Sequence, residues 1–477
     1  MTNLNVTKRN GETATLAAGT VQAFLDSVEG RALTPDDSDY DEVRSIWNAM
    51  IDRRPGLIVR CAGAGDIVKC VNFAREQDLL VAVRGAGHNI AGNAVCDGGL
   101  LIDLSLMKAV TVDAGAKTVH TEPGATLGDL DTATQTHGLA VPTGINSTTG
   151  IAGLTLGGGF GWLSRKHGLT IDSLLSAEVV TADGQSITAS ESSHPDLFWG
   201  IRGGGGNFGI VSGFTFRAHP VGPEILSGFI VHPQSEAPSL MREYRKLAAE
   251  APDELSVWII LRKAPPLPFL SEEVHGTDIM ILAALYAGDM TEAETALKPF
   301  RELGNPLADV ISPHNFTDWQ AAIDPLLTPG ARNYWKSHNF AGLTDEAIDI
   351  FVRYAGSLPS DQCEIFIAQM GGATARVAPD ATAYLGREAN FVMNVHARWD
   401  DADDDKRCVA WARELFDTVA PHATGGVYVN FMPDDEQDRV AAAYGPNYDR
   451  LVTLKQKYDP QNMFRMNQNV APATSRP

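Results

Sequence analysis

Three glycine-rich segments in the first half of the chain constrain its fold more than any other feature. They span residues 84–92 (RGAGHNIAG), 143–161 (TGINSTTGIAGLTLGGGFG) and 202–211 (RGGGGNFGIV). Glycine lets the backbone approach a ligand closely and lets consecutive N–H groups converge on an anion. A single glycine cluster is most often only a turn. Three of them in one region, each beside a strand pattern, favour a large, extended ligand that the backbone holds.

The first segment does not match the fingerprint of a nicotinamide dinucleotide site. That fingerprint needs GxGxxG directly before a helix and an acidic residue about twenty positions later. In residues 84–92 the third glycine stands at the wrong spacing. A nicotinamide cofactor is therefore not favoured.

Composition and charge exclude several classes of partner. The 477 residues include 38 Lys and Arg against 59 Asp and Glu, a formal net charge of −21. This surplus repels nucleic acid and anionic membrane lipid. The five scattered cysteines have neither disulfide-framework nor zinc-site spacing, so we expect no metal. The N-terminus has no apolar leader, so we expect a cytoplasmic protein, and the sequence leaves monomer and homodimer open.

The pattern of strands and helices changes along the chain, which predicts an α+β protein of two domains. Residues 56–85 carry an apolar run, an amphipathic segment and a second apolar run, a βαβ pattern. Short strands punctuated by glycine continue beyond it, so we predict a first domain over 1–220. Longer strands alternate with helices over 221–424, which predicts an antiparallel sheet that carries helices. Residues 425–477 return to short motifs, so we predict that they rejoin the first domain.

The order and spacing of four segments carry a family resemblance. The segments are RGAGHNIAGNAV (84–95), LTLGGGFGWLSRKHGLTIDSLLSAEVVTADG (154–184), HPDLFWGIRGGGGNFGIVSGF (194–214) and YDPQNMFRMNQNV (458–470). Together they resemble the berberine bridge enzyme-like group of the vanillyl-alcohol-oxidase flavoprotein superfamily. The resemblance covers the whole chain. It implies a PCMH-type FAD-binding domain of two α/β subdomains, and a substrate domain whose large antiparallel sheet is backed by helices.

His88 is the residue to which the resemblance assigns cofactor attachment. In the family, the histidine of the RGAGH-like loop bonds the 8α-methyl carbon of FAD, and His88 stands at that position. A neutral imidazole nitrogen suits this chemistry because it is a nucleophile that needs only proximity. Many members add a second bond from a cysteine. This chain has Asn146 at that place, so the resemblance implies FAD held by one covalent bond.

The other expected cofactor contacts lie in the glycine-rich segments and near the C-terminus. Thr149 stands where the family controls the access of oxygen to the flavin. The terminal FRMNQN stretch resembles a family motif whose asparagine contacts the flavin. The full set of expected FAD-binding residues is His88, Arg84, Gly85, Ala86, Gly87, Asn89, Gly92, Gly144, Asn146, Thr148, Thr149, Gly150, Gly153, Gly158, Gly159, Gly206, Asn207, Gly209, Ile210, Val211, Asn467 and Asn469.

The expected catalytic residues are Tyr428, Gln369 and Asn430. Tyr428 is chosen because its YVNF stretch resembles the family's Y-x-N-Y motif. A phenol with a pKa of about 10 is a weak base at neutral pH, so it needs a neighbour that lowers its pKa. We predict a strand here, with Tyr428 and Asn430 on one face. Gln369, at the end of CEIFIAQM, stands in a stretch that faces substrate in relatives. A glutamine there would orient the substrate rather than take its proton.

These expectations describe an FAD-dependent oxidase that acts on a small-molecule substrate and O2. A C–H bond next to oxygen or nitrogen is broken, and the flavin passes the electrons to O2 to give H2O2. Two other functions remain open: a flavin dehydrogenase that uses another electron acceptor, and a non-catalytic flavin- or ligand-binding protein. The sequence does not choose the substrate among alcohols, amines, sugars and secondary metabolites.

Overall fold

The strands form one large antiparallel sheet and several smaller sheets. The computed structural model describes residues 3–473. The outermost residues of the predicted 1–220 and 425–477 segments therefore lie outside the described residues. In chain order the strands are β1 (Leu4–Thr7), β2 (Thr13–Leu16), β3 (Arg31–Leu33), β4 (Leu57–Arg60), β5 (Val81–Arg84), β6 (Leu100–Asp103), β7 (Val110–Asp113), β8 (Thr118–Thr121), β9 (Leu139–Ala140), β10 (Leu174–Val180), β11 (Ser186–Ser190), β12 (Ile210–Arg217), β13 (His219–Pro220), β14 (Glu224–Pro233), β15 (Leu255–Lys263), β16 (Asp278–Tyr286), β17 (Ala308–Asp309), β18 (Ser312–Asn315), β19 (Arg332–Phe340), β20 (Glu364–Gln369) and β21 (Phe391–Trp399).

The helices lie between these strands and at the C-terminal end. None of those within residues 3–473 is long and apolar enough to cross a membrane. In chain order they are α1 (Ala18–Leu25), α2 (Tyr40–Arg44), α3 (Ala64–Gln77), α4 (Leu127–Gln135), α5 (Ile151–Leu156), α6 (Ser164–His167), α7 (Pro195–Ile201), α8 (Ala237–Glu250), α9 (Met290–Arg301), α10 (Phe316–Gln320), α11 (Asp345–Ala355), α12 (Asp405–Val419), α13 (Val440–Tyr444) and α14 (Tyr448–Tyr458).

A four-stranded sheet in the order β3-β4-β6-β5 delivers the first glycine-rich segment. Strands β4 and β5 both pair parallel to β6, and α3 connects them, so the predicted βαβ pattern is confirmed. Helix α3 buries Ile67, Cys70, Val71 and Ala74, a spacing that gives a helix one apolar face. The segment that starts at Gly85 follows the carboxyl end of β5.

A five-stranded antiparallel sheet in the order β11-β10-β12-β8-β7 supports the other two glycine-rich segments. Helices α4, α5 and α7 contribute to its core, and so does the C-terminal helix α14. Leu451 and Leu454 of α14 belong to the same apolar cluster as Phe214 and Phe216 of β12. The C-terminal part of the chain therefore packs on an element from the first half.

The large sheet joins β17-β14-β16-β15-β20-β21-β19, with β18 paired to β14. Helices α8, α9, α11 and α12 cover one of its faces. In β20, Ile365 and Ile367 point into that helical core, whereas Phe366 belongs to a cluster on the opposite face. A shift of one residue in the pairing would exchange the two faces, so this alternation specifies the register. The face opposite the helices turns toward the glycine-rich segments.

The predicted strand around Tyr428 is wrong. Residues Val429–Phe431 form a short 3-10 turn instead of a strand. The turn still brings the two side chains together, because Asn430 Nδ2 donates a hydrogen bond of 3.0 Å to the Tyr428 hydroxyl. The pairing of these residues therefore comes from a turn and a hydrogen bond rather than from strand alternation.

Candidate active site

A cavity of about 490 Å³ lies between the glycine-rich segments and the face of the large sheet opposite α8, α9, α11 and α12. Small-molecule sites usually measure roughly 300–1,000 Å³. The segments and the C-terminal stretch form one side of the cavity, and β15, β16, β20 and β21 contribute to the other. The expected cofactor residues that line it are His88, Gly85, Ala86, Gly87, Asn89, Gly144, Asn146, Thr149, Gly150, Gly153, Gly206, Gly209, Ile210, Val211 and Asn467.

Seven expected cofactor residues do not line the cavity. Two of them, Arg84 and Asn207, make contacts that hold the glycine-rich segments in place. Arg84 Nη2 pairs with Asp103 Oδ2 at 2.7 Å and so fixes the start of the first segment. Asn207 Nδ2 donates to the Gln468 carbonyl at 3.1 Å, which ties the third segment to the C-terminal stretch. The full set away from the cavity is Arg84, Gly92, Thr148, Gly158, Gly159, Asn207 and Asn469.

The first two glycine-rich segments touch each other, and this contact requires glycine. A Cβ atom at Gly150 would lie 2.9 Å from the Ala86 Cβ, closer than side chains pack. Gly87 has a φ of +78°, which a residue with a side chain rarely adopts. The two segments can therefore form one continuous surface beside His88.

The His88 ring is held in one orientation and in one tautomer. Thr148 Oγ1 donates its only proton to Asn146 Oδ1 at 2.6 Å. The 3.1 Å contact between Thr148 Oγ1 and His88 Nε2 must then use a proton on the histidine. The hydrogen-bond network thus assigns the proton to Nε2 and leaves the lone pair on Nδ1. The Trp47 ring stacks on the imidazole, with centroids 5.2 Å apart.

Burial sets the charge state of His88. Removal from water lowers the pKa of His88 to about 4, with a hydrogen bond to the Thr148 backbone acting in the opposite direction. The imidazole is therefore uncharged at neutral pH. An uncharged ring with a free Nδ1 lone pair is a nucleophile.

Tyr428 lines the cavity near the second glycine-rich segment. Its hydroxyl oxygen accepts hydrogen bonds from the Gly159 N–H at 3.2 Å and from Asn430 Nδ2 at 3.0 Å. Burial raises the pKa of Tyr428 to about 12, although both hydrogen bonds act to lower it. The resting phenol therefore carries its proton, and the two donors would stabilise a phenolate if that proton left.

The expectation that Gln369 faces the substrate is wrong. Its Nε2 donates to the Ala248 carbonyl of α8 at 2.8 Å, and its Oε1 accepts from the Val257 N–H at 2.9 Å. In β20 the odd-numbered side chains point toward the helices, so Gln369 lies on the opposite face from the cavity. Its side chain ties α8 to β15.

Sequence reasoning missed a polar row on the cavity face of the large sheet. Arg262, Glu364, His396 and Trp335 are neighbours across β15, β20, β21 and β19, and all four line the cavity. The signal for Arg262, Glu364 and His396 was a charged residue or a histidine within a largely apolar strand. Burial acts to raise the pKa of the Glu364 carboxyl, but Arg262 and the His396 hydrogen bond bring it below its usual value.

Comparison with known proteins decides the family. Two family models match, one described as FAD binding domain over residues 55–190 and one as Berberine and berberine like over residues 427–471. The FAD-linked oxidoreductase YgaK of Bacillus subtilis is 32% identical over 453 residues, covering 93% of this chain and 97% of the relative. The chain belongs to the berberine bridge enzyme-like FAD-linked oxidoreductases.

Other members of the berberine bridge enzyme-like family agree over nearly the whole chain. (R)-6-Hydroxynicotine oxidase of Paenarthrobacter nicotinovorans is 31% identical over 469 residues, covering 94% of this chain and 98% of the relative. The crystal structure of 6-hydroxy-D-nicotine oxidase from Arthrobacter nicotinovorans matches with a TM-score of 0.84 at 29% identity, covering 93% and 98%. The predicted family, the α+β fold with its PCMH-type FAD-binding domain and the assignment as an FAD-linked oxidoreductase are confirmed.

The residues of the cavity fit the FAD of a berberine bridge enzyme-like enzyme. A Cβ at Gly153 or Gly206 would meet no atom within 4 Å, so the backbone at both glycines borders open space. Asn467 Oδ1 is buried and has no hydrogen-bond partner among the described residues, although a buried polar atom normally has one. A polar ligand beside the C-terminal stretch would satisfy it.

Proposed function

We propose that this chain is an oxidase that holds FAD by one covalent bond from His88. It would oxidise a C–H bond next to oxygen or nitrogen in a small organic substrate and pass the electrons to O2, giving H2O2. The observation that carries the proposal is the state of His88: an uncharged ring on the cavity surface, with Nδ1 free and Nε2 occupied. Among the relatives, (R)-6-hydroxynicotine oxidase is named as an oxidase.

His88 would hold the flavin through Nδ1. The Thr148 hydroxyl and the Trp47 ring fix the direction in which that nitrogen points. Fixed orientation makes attachment within one molecule fast, because no rotational freedom is lost at the reaction step.

A single bond is proposed because no cysteine reaches the site. Asn146 occupies the place of the second attachment, and its Oδ1 accepts bonds from the Thr148 backbone and hydroxyl at 2.9 and 2.6 Å. All five cysteines are free and buried, and none lines the cavity. Asn146 would thus shape the second segment without bonding the cofactor.

Tyr428 would relay the substrate proton, accepting it as the phenol's own proton moves on. When bound, FAD supplies the redox chemistry, accepting hydride and returning electrons to oxygen. The Gly159 N–H and the Asn430 amide both point at the Tyr428 oxygen, so they would stabilise it as its proton moves away. Thr149 lines the cavity nearby, and its small side chain would leave room for O2.

Acid precipitation and peptide mapping test the covalent part of the proposal. We expect the yellow colour to stay with the precipitated chain and the flavin to appear on one peptide that contains His88. In His88→Ala the colour should move to the supernatant, while His120→Ala, an exposed histidine outside the cavity, should keep it. Flavin on a cysteine peptide, or complete release of FAD from the unchanged protein, would refute the single histidyl bond.

Stopped-flow mixing tests the oxidase part. Reduced protein mixed with aerated buffer should reoxidise rapidly and form one H2O2 per flavin. Slow reoxidation with fast transfer to an artificial acceptor would identify a dehydrogenase. If no alcohol, amine, sugar, aromatic acid or phenol bleaches the flavin under anaerobic conditions, the chain is a binding protein.

A further inference from the structure

The sheet side of the cavity is mainly apolar. Aromatic and aliphatic side chains from β14, β15, β16 and β20 and from the loop after β15 form this surface: Phe229, Ile260, Phe269, Ile281 and Phe366. An aromatic or aliphatic molecule would bury its surface here without losing hydrogen bonds. A sugar would leave several hydroxyl groups unpaired against these rings, which costs free energy.

The charged end of this surface is the polar row. Arg262 Nη1 donates to Glu364 Oε2 at 2.8 Å, and His396 Nδ1 lies 3.0 Å from Glu364 Oε1. Both carboxylate oxygens are therefore engaged. Glu364 is also the only acidic side chain among the described residues that line the cavity. A cationic ligand would find no free carboxylate.

His396 faces an acceptor on its other side as well. Its Nε2 lies 3.3 Å from Asn333 Oδ1, and the Asn333 amide is oriented because its Nδ2 donates to the Ala331 carbonyl at 2.9 Å. Both ring nitrogens thus face oxygen atoms of the protein. Within the row, the positive charge that can bind a ligand is that of Arg262.

Arg262 has one nitrogen whose N–H groups are not used in hydrogen bonds to the described residues. Its Nε donates to the Lys263 carbonyl at 3.1 Å and its Nη1 to Glu364, while its Nη2 makes no hydrogen bond to the described residues. A guanidinium that is already held through Nε and Nη1 offers its Nη2 N–H groups to an anion with little loss of side-chain freedom.

The row is connected to the proposed attachment site by a series of ring contacts. His396 packs edge-on against Trp335 at 4.7 Å, Trp335 against Trp47 at 5.6 Å, and Trp47 stacks on His88 at 5.2 Å. A ligand at Arg262 therefore lies in the same cavity as His88, on the side that the sheet provides.

The geometry points to a substrate with a flat apolar body and an anionic group, such as a carboxylate or an acidic phenol, which Arg262 binds. This inference rests on the proposed function, because it names the substrate class of the same cavity. It disfavours both sugars and amines as the preferred substrates.

Three small probes test the charge preference without turnover. Benzoate, benzamide and benzylamine share one ring and differ in charge, and calorimetric titration of the holoprotein measures their binding. We expect benzoate to bind about 10–100-fold more tightly than benzamide, the range of a charge-assisted hydrogen bond, and benzylamine to bind most weakly. Benzylamine binding as tightly as benzoate would overturn the inference.

Variants then assign the preference to Arg262. In Arg262→Gln the advantage of benzoate should fall to within about threefold. Glu364→Gln, which removes the acidic side chain from the described lining of the cavity, should keep or increase it. Arg407→Gln, in an exposed position on α12, should bind all three probes like the unchanged protein. A folded Arg262→Gln protein that still prefers benzoate, or a Glu364→Gln protein that loses the preference, would overturn the assignment.

The two proposals fail in different ways. If benzoate is preferred but no compound bleaches the flavin, the charge inference stands and the oxidase proposal fails. If neutral or cationic substrates bleach the flavin, O2 reoxidises it rapidly and benzoate is not preferred, the oxidase proposal stands and the charge inference is wrong.

Discussion

His88 and Tyr428 face the same cavity, and burial favours the uncharged form of each. It lowers the pKa of His88 to about 4 and raises that of Tyr428 to about 12. The glycine-segment side of the cavity is therefore neutral between these values. Among the described lining residues, charge is confined to the sheet side, at Arg262 and Glu364. The two sides thus divide the tasks: one is suited to cofactor attachment and proton movement, and the other to recognition of the substrate.

Replacement of Tyr428 by Phe tests its proposed role in proton transfer. The change removes the hydroxyl that Gly159 and Asn430 hold, but it keeps the ring. We expect anaerobic flavin reduction to slow by about 10²–10⁴-fold, the usual effect of losing a positioned acid–base group. Reoxidation by O2 should hardly change, because it does not use the substrate proton. Rapid mixing with the best substrate measures both rates.

Tyr384→Phe is the matched control. Tyr384 is buried beside Tyr428, with ring centroids 6.4 Å apart, but it does not line the cavity. This variant should reduce its flavin at the rate of the unchanged protein. If Tyr428→Phe also stays within about threefold of that rate, the proton-transfer role belongs to another residue or to solvent.

At the scale of elements, a buried carboxyl joins α4 to α10. Gln320 Nε2 of α10 donates to Asp131 Oδ2 of α4 at 3.0 Å and to the Gly144 carbonyl at 3.1 Å. Asp131 Oδ1 and Gln320 Oε1 have no partner among the described residues. Burial raises the pKa of Asp131 to about 7, above its ordinary 3.8. This contact positions the second glycine-rich segment against α10.

The raised pKa of Asp131 gives stability a definite dependence on pH. The folded state binds the proton more tightly than the unfolded state, so the contribution is complete below about pH 4 and is lost as the pH rises through about 7. We expect Asp131→Asn to raise the melting temperature by a few degrees at pH 8, with the gain shrinking toward pH 5. Asp36→Asn, at an exposed position, should show no such trend. A constant difference across this pH range would contradict the prediction.

Gln369→Leu tests whether Gln369 is structural. Leucine has a similar size but cannot bond the Ala248 carbonyl and the Val257 N–H, so both would lose a buried partner. We expect the free energy of unfolding to fall by about 1–3 kcal/mol. Flavin reduction should keep its normal rate, because the side chain lies away from the cavity. A large loss of rate with unchanged stability would restore the catalytic interpretation.

Local patterns in the sequence were sufficient for the elements and for most of the cofactor side. The βαβ pattern and the glycine-rich segments depend on short-range preferences, and these place His88 after β5. Local patterns did not predict which side chains of the large sheet face the cavity. Both faces of β20 are covered, so alternation alone does not say whether Gln369 or Glu364 faces the cavity. Trp47 stacks on His88, from which it is distant in the sequence. The residues around Trp47 carry no local pattern that predicts this contact.

At the scale of the molecule, hydrogen bonds and ion pairs join segments that are far apart in the sequence. Asn48 Nδ2 donates to the Asn333 carbonyl at 2.9 Å, and the Asn333 N–H donates to Asn48 Oδ1 at 3.0 Å. Arg387 makes a two-pronged ion pair with Asp172, both bonds at 2.7 Å. A cofactor between the glycine-rich segments and the sheet would therefore touch parts of the chain that must come together on folding. Binding of FAD should stabilise the fold as a whole.

Thermal unfolding of His88→Ala with and without added FAD tests this coupling. A ligand that binds only the folded state stabilises it by about 2.7 kcal/mol at a hundred times its dissociation constant. Without the covalent bond, we expect the melting temperature of the variant to rise with FAD concentration. The unchanged protein should not respond, because its FAD stays attached through unfolding. His120→Ala should behave like the unchanged protein. A His88→Ala protein that melts at one temperature at all FAD concentrations would mean that the cavity does not bind the cofactor. A response in the unchanged protein would mean that its cofactor is not covalently held.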